Sequence, residues 1–326
     1  MRTSFAILLV TILVAGIAGI CKGDDDELQF GFYRQSCPQA EAVVKNITWN
    51  MVSQNPELAA KLLRLHFHDC FVEGCDGSVL LDSTPGNTAE KDAIPNLTLG
   101  GFNVIDAIKT QLEQVCPGVV SCADIVALAA RDAVSLQYQH ALWPVFTGRR
   151  DGTVSKASEA LANLPSPFAD LSTLKQNFST KGLDTIDLVV LSGAHTIGIA
   201  HCAAVVNRLY NFTGKGDADP SLDPNYANFL KTRCPQNFSA STTLQMDPNS
   251  AWSFDTHYYQ IVKNKDGLFQ SDAALLTDPV SSLFVDILQN PGAFFPYFAR
   301  SMVKMGEIEV LTGQAGEIRK NCHVIN

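Results

Sequence analysis

Eight cysteines, spread from Cys37 to Cys322 behind an apolar N-terminal leader, set the strongest limit on the architecture open to this chain. Arg2 gives the leader a positive start, and Phe5 to Ile20 is an unbroken run of apolar and small residues. That run is shorter than the roughly 20 residues a membrane span needs, and small residues close it, as in a secretory signal. Cleavage is expected between Gly19 and Leu28, with residues 1–23 taken as the signal; a signal anchor is the alternative. The ninth cysteine, Cys21, lies inside this leader. An even number of cysteines in an oxidising compartment argues for four disulfides, although eight allow about a hundred pairings. Zinc is the competing use of cysteine, and it lacks the two C-x-x-C pairs that a structural site would show.

Residues 24–326 then form one domain large enough for a sizeable core. The chain is 46% apolar, so it is globular and not disordered. Its net charge is −9, and loss of residues 1–23 would remove two cations and no acid. Such a chain suits neither nucleic acid nor an anionic membrane, whose binding needs cationic groups. The run Asp24-Asp25-Asp26-Glu27 reads as a solvated mature N-terminus.

The dominant period is helical, and the predicted fold class is mainly α. After Ser36-Cys37-Pro38, an apolar stripe runs through Ala40, Val43, Val44, Ile47 and Met51. Asn55-Pro56-Glu57 supplies a cap, a first-turn proline and an acid for the next helix. Further helices are predicted over 101–115, 122–136, 171–181, 185–192, 225–233, 256–264 and 294–306. Glycine- and proline-rich connections such as 73–78 and 164–167 separate them. Alternating strand patterns are scarce, and no repeat or interdomain linker is visible.

Two segments could carry chemistry. In LLRLHFHDCFVEGCDGS, Arg64 and His68 are four apart and share a helix face. An imidazole there could move a proton between the oxygens of a peroxide while the guanidinium stabilises developing negative charge. An isolated R-x-x-x-H is more often a surface arginine and a satisfied core histidine. His66 points away from Arg64 and reads as structural; Phe67 could shape a pocket but is more simply core. Asp69, Asp76 and Ser78 bracket a loop that Cys70 and Cys75 could staple, and its oxygen donors suit calcium without the EF-hand order. Alone, such a loop is usually just a solvated turn. In LVVLSGAHTIGIAHC, Gly193 and Ala194 beside His195 would admit a flat ligand, although a lone histidine there is more often packed than ligating. His140, His201, His257 and His323 have no supporting pattern.

The strings RLHFHDCFVEGCDGS, EKDAIPN, GRRD, LSGAHTIG, FDTHYY, GLFQSD and KMGEIEVLTGQAGEIRKNC occur in this order from about Gln29 to Asn326. Together they resemble the secreted plant (class III) haem peroxidases. The resemblance implies a two-lobed helical fold with one haem b between distal and proximal lobes. It makes His195 the axial ligand, with Asp272 accepting its second N–H. It makes His68 the acid/base group, Arg64 its charge-stabilising partner and Asn96 the amide that fixes the His68 tautomer. Pro165 would line a site for aromatic donors. Two calcium ions are implied, one held by Asp69, Val72, Gly74, Asp76 and Ser78, the other by Thr196, Asp247, Ser250, Ser253 and Asp255. The implied disulfides are Cys37–Cys116, Cys70–Cys75, Cys122–Cys322 and Cys202–Cys234.

The implied activity is reduction of H2O2 with one-electron oxidation of phenolic donors, by a monomer that binds neither nucleic acid nor membrane. Export to the cell wall or apoplast follows, with roles in lignification, peroxide removal or stress; the vacuole is disfavoured because the chain ends soon after Cys322. Three departures from the family pattern stand out: Gly100 where arginine is usual, Gln139-His140-Ala141 for Gly-Gly-Pro, and Ser250-Ala251 for Thr-Pro. Two other classes compete: a haem- or calcium-binding protein without turnover, and a hydrolase built on Ser192, His195 or His201. The first has no need of Arg64, His68 and Asn96 together, and the second lacks a G-x-S-x-G elbow. Five N-x-S/T sequons, at Asn46, Asn96, Asn177, Asn211 and Asn237, offer glycan sites, and Asn96 should be unusable if it serves His68.

Overall fold

The computed structural model describes residues 27–326, so the predicted signal and Cys21 lie outside the described residues. Helix dominates, as the periodicity predicts. The N-terminal half contains α1 (Ala40–Gln54), α2 (Glu57–Cys70), α3 (Phe102–Val115), α4 (Cys122–Ser135) and α5 (Ala157–Asn163). The C-terminal half contains α6 (Leu171–Thr180), α7 (Thr185–Ser192), α8 (Val206–Tyr210), α9 (Pro224–Arg233) and α10 (His257–Lys263). It continues with α11 (Gln270–Ala274), α12 (Pro279–Ile287) and α13 (Pro291–Met305). Two small antiparallel sheets complete it. In one, β1 (Gln29–Phe30) pairs with β2 (Phe146–Thr147); in the other, β3 (Ile199–His201) pairs with β4 (Thr243–Gln245).

Local chemistry sets the helix starts. Ser121 accepts the N–H of Asp124 to open α4, and Asp184 and Asp187 form a reciprocal capping box on α7. Asp278 and Asn290 each cap a helix whose first residue is proline, α12 and α13. The α4 sequence CADIVALAARDAVS is buried on every side, so it forms the centre against which α1, α2 and α3 pack. In the other half, α7 is the central element, covered by α6, α12 and α13. A separate small core gathers β3, β4, α8 and α9 around Cys202–Cys234.

All four disulfides pair as the resemblance implies: Cys37–Cys116, Cys70–Cys75, Cys122–Cys322 and Cys202–Cys234. The zinc reading fails on the same ground. Among the described residues, His66, Cys70 and Cys75 are the one trio of His, Cys, Asp or Glu side chains whose donor atoms lie close enough to share a zinc ion, and the Cys70–Cys75 bond removes both thiolates.

The two halves meet close to both histidine segments. Gly198 sits at φ +99°, and a Cβ there would lie 2.7 Å from the Ala60 methyl of α2. Ala60, Arg64 and His68 follow one another at four-residue steps, so the α2 face carrying them is turned toward the His195 segment. No helix among the described residues is long and apolar enough to cross a membrane.

Candidate active site

On α2, His68 is buried and its Nδ1 lies 2.6 Å from Asn96 Oδ1. The Asn96 amide nitrogen donates to the Glu90 carbonyl at 2.8 Å, which fixes the amide's orientation. Asn96 Oδ1 is therefore the acceptor, His68 carries its proton on Nδ1, and Nε2 presents a lone pair. Burial, reinforced by the charge of Arg64, holds the His68 imidazole well below the usual histidine range, against the opposing pull of Asn96. The neutral form needed for proton abstraction is the favoured one.

Arg64 is oriented by the same connection that supplies Asn96. Its Nη2 donates to the Pro95 carbonyl at 2.8 Å and its Nη1 to Thr98 Oγ1 at 3.0 Å. Burial pushes its pKa down to about 10, so it stays cationic at neutral pH. Neither acceptor is a carboxylate, which leaves its charge available. Phe67 is half-buried, edge-on to His68 and Phe71. His66 is buried on the other side of α2, its Nδ1 3.5 Å from Cys70 Sγ.

His195 lies in a 3-10 turn directly after α7, and its Nδ1 is 2.8 Å from Asp272 Oδ1. Asp272 also accepts from Tyr258 Oη at 2.9 Å and from the Phe269 N–H at 2.8 Å. Burial raises the Asp272 carboxyl, but His195 and these donors outweigh it and hold the group below the ordinary aspartate range. An ionised Asp272 makes His195 Nδ1 the donor and leaves Nε2 as the ligating atom. The imidazole stays 35% accessible, and with Nδ1 turned to a buried carboxylate the open edge is the one bearing Nε2. That donor set, a neutral imidazole made more basic by a carboxylate, fits the iron of a haem.

One sequence expectation needs correcting here. Gly193 does not clear a path for a flat ligand, because a Cβ there would overlap Tyr259 Oη and lie 2.7 Å from Phe294. Its smallness serves packing behind the His195 turn.

The loop after α2 gathers Asp69, Asp76 and Ser78 in full burial. Asp69 Oδ2 accepts from Gly77 N–H, whereas Asp69 Oδ1, Ser78 Oγ and both Glu90 carboxylate oxygens have no hydrogen-bond partner. Burial pushes Asp76 up to about 6 and Glu90 up to about 9, and raises Asp69 with help from the Asp76 charge. Buried, repelling carboxylates with unmatched oxygens are the donor chemistry of a hard cation. The Val72 carbonyl accepts from Lys181 Nζ at 3.1 Å, and Gly74, at φ +94°, packs against Glu309.

A second oxygen cluster adjoins His195. Thr196 Oγ1 reaches Asp255 Oδ1 at 3.1 Å and Asp247 Oδ2 at 3.3 Å, while Ser250 Oγ donates to Asp255 Oδ2 at 2.8 Å. Ser250 thus keeps its contact despite the departure from Thr-Pro. Ser253 joins through its backbone, 2.8 Å from the Ser250 carbonyl. His257, unsupported by any sequence pattern, lies with Nδ1 2.6 Å from Asp247 Oδ1. Pro165 is half-buried between α5 and α6, and nearby Pro167 accepts the N–H of Ser271, next to Asp272.

Sequence reasoning missed three supports: the Glu90 carbonyl behind Asn96, the Tyr258 hydroxyl on Asp272, and the Pro95–Thr98 clasp on Arg64. The strings EKDAIPN and FDTHYY contain Glu90, Pro95 and Tyr258, and were the available signal.

A sequence model of the family described as Peroxidase matches residues 44–290. The chain belongs to the peroxidase family. Peroxidase 1 and Peroxidase 2 of Arabidopsis thaliana are each 53% identical over 321 residues, covering 97% of this chain and of the relative. Peroxidase 24 of the same plant is 55% identical over 309 residues, covering 93% of this chain and 88% of the relative. The mainly helical architecture agrees with that membership, and the protein is an oxidoreductase acting on H2O2. The family's cofactor is haem.

Proposed function

We propose that this peroxidase oxidises phenolic donors one electron at a time, with peroxide handled on the α2 side and the haem held by His195. The observation that carries the reading is the pair of histidines with fixed tautomers. His68 on Asn96 and His195 on Asp272 each tie up Nδ1 and offer Nε2, on segments that meet where Ala60 touches Gly198. Bound haem supplies the iron at which the O–O bond breaks and the oxidising power that donors draw on.

The chain's own residues divide the remaining work. His195 Nε2 would hold the iron, and Asp272 makes that imidazole more electron-donating. His68 Nε2 takes the proton from one peroxide oxygen and returns it to the other as water leaves. Arg64 stabilises the negative charge that develops during cleavage. Asn96 keeps the lone pair on the working nitrogen. The half-buried stretch around Pro165 lines the approach for small phenols.

Calcium completes the proposal. One ion would sit among Asp69, Val72, Gly74, Asp76 and Ser78, the other among Thr196, Asp247, Ser250, Ser253 and Asp255. Each cluster begins one residue after a working histidine, so each holds that histidine's backbone. Residues 1–23 as a signal, export to the cell wall, glycosylation and a monomeric state belong to the same reading. The test is an absorption spectrum of purified protein before and after one equivalent of H2O2, followed by guaiacol. A haem band that shifts with peroxide and returns with guaiacol is expected; a shift without guaiacol oxidation would overturn the phenolic assignment.

A further inference from the structure

Two side chains share one oxygen of Asp272. Its Oδ1 accepts from His195 Nδ1 at 2.8 Å and from Tyr258 Oη at 2.9 Å, while Oδ2 takes the Phe269 N–H at 2.8 Å. A carboxylate oxygen has two lone pairs and can serve both donors, but each draws on the same negative charge. Tyr258 therefore competes with His195 for Asp272.

The competition is held in place by packing. Tyr258 is buried in the first turn of α10, which packs on the turn carrying His195. Its ring stands edge-on to the imidazole, with centroids 5.7 Å apart. Burial first, and then the Asp272 charge, hold the phenol well above the ordinary tyrosine range, so the hydroxyl keeps its proton and stays a donor. The next residue supplies a contrast. Tyr259 is as deeply buried, but its hydroxyl donates to the Val189 and Val190 carbonyls at 3.2 and 3.1 Å, not to a carboxylate.

We infer that Tyr258 is a positioning residue that tempers the pull of Asp272 on His195 and thereby sets the reduction potential of the haem iron. The inference rests on the assignment of His195 as the haem ligand. An unshared carboxylate would draw the Nδ1 proton further toward itself and make the imidazole more electron-donating. A more donating ligand favours ferric iron. With its hydroxyl on the same oxygen, Tyr258 takes up part of the charge, weakens that pull and holds the potential higher.

The test compares the wild-type holoenzyme with Tyr258→Phe and Tyr259→Phe, each of which keeps its ring and loses one hydroxyl. Spectroelectrochemical titration reads the ferric–ferrous equilibrium, and resonance Raman of the ferrous protein reads the iron–histidine stretch. Tyr258→Phe should shift the equilibrium about tenfold toward ferric, about 59 mV for one electron, and raise the stretching frequency. Tyr259→Phe should leave both readings at their wild-type values. An unchanged or raised potential in Tyr258→Phe would overturn the inference, as would equal shifts in the two variants, which would trace the effect to packing. Haem lost from Tyr258→Phe alone would also overturn it, since the hydroxyl would then be a structural support. Wild-type protein that binds no haem, or whose ferrous form shows no iron–histidine stretch, would sink the His195 assignment and the inference together.

Discussion

At the scale of single residues, His68 and Asn96 form a unit whose disruption has separable consequences. His68→Ala removes proton transfer but no iron ligand, so haem should stay bound while reaction with peroxide slows by about a thousandfold. Arg64→Leu should slow it less. Stopped-flow rates near wild type in both variants would contradict the assigned roles. Asn96 makes a second test, because its sequon is intact. With the side chain 2% exposed and both ends of its amide engaged by His68 and Glu90, it has no room for a sugar. Glycopeptide mapping should find it bare, with glycans confined to the other four sequons; Asn46, Asn211 and Asn237 are exposed. The Arg64–His68 pairing was legible because a four-residue step on a helix is a geometric statement. The Glu90 carbonyl was not, because a backbone acceptor leaves no mark in residue identity.

Among elements, the sharpest constraint lies where α2 touches the segment after His195. Gly198→Ala places a methyl against Ala60 at a backbone angle that side chains avoid, and should cost about 3 kcal/mol. Adding Ala60→Gly relieves the overlap but not the backbone strain, so the pair should recover only part of the loss. Thermal melts of the single and double variants check this; full additivity would show that the contact is not tight. Helix boundaries were readable wherever an apolar stripe ran long, as in α1, α4 and α7. The periodicity predicts no helix at α5, α8, α11 or α12. Three of these have seven residues or fewer, as has the predicted α10, so a period has little room to show in them. The fourth, α12, announces itself by Asp278-Pro279 and leaves Val280, Leu283 and Ile287 exposed, which blurs its apolar face.

For the whole molecule, cross-links and buried acids bear the weight. Cys122–Cys322 closes a span of 200 residues and Cys70–Cys75 one of five. Loop-closure entropy then predicts about 5 kcal/mol lost on replacing the first pair by alanine and about 2 for the second. Denaturant melts of the two double variants should keep that order. Calcium should matter as broadly, because Asp69, Asp76 and Glu90 are buried together. Chelation with verified metal loss should lower the melting temperature and disturb the haem band, and unchanged values would count against both sites. The cysteine count gave the number of bridges, but their partners came only with the family likeness, since connectivity is a property of the folded path.

That path has a consequence for how the protein is made. The loop after α2 is roofed by residues from the far end of the chain: the Cys75 N–H donates to the Ile308 carbonyl, Gly74 packs on Glu309, and Arg319 donates to the Gly77 carbonyl. Ribosomal synthesis delivers those residues more than 200 positions after the loop they cover. Folding that proceeds from the N-terminus can therefore assemble the packing of α1 to α4 but not seal the loop beside His68. The loop beside His68 therefore stays uncovered until residues 308–319 are made, and Cys322 then fastens that covering tail to the start of α4.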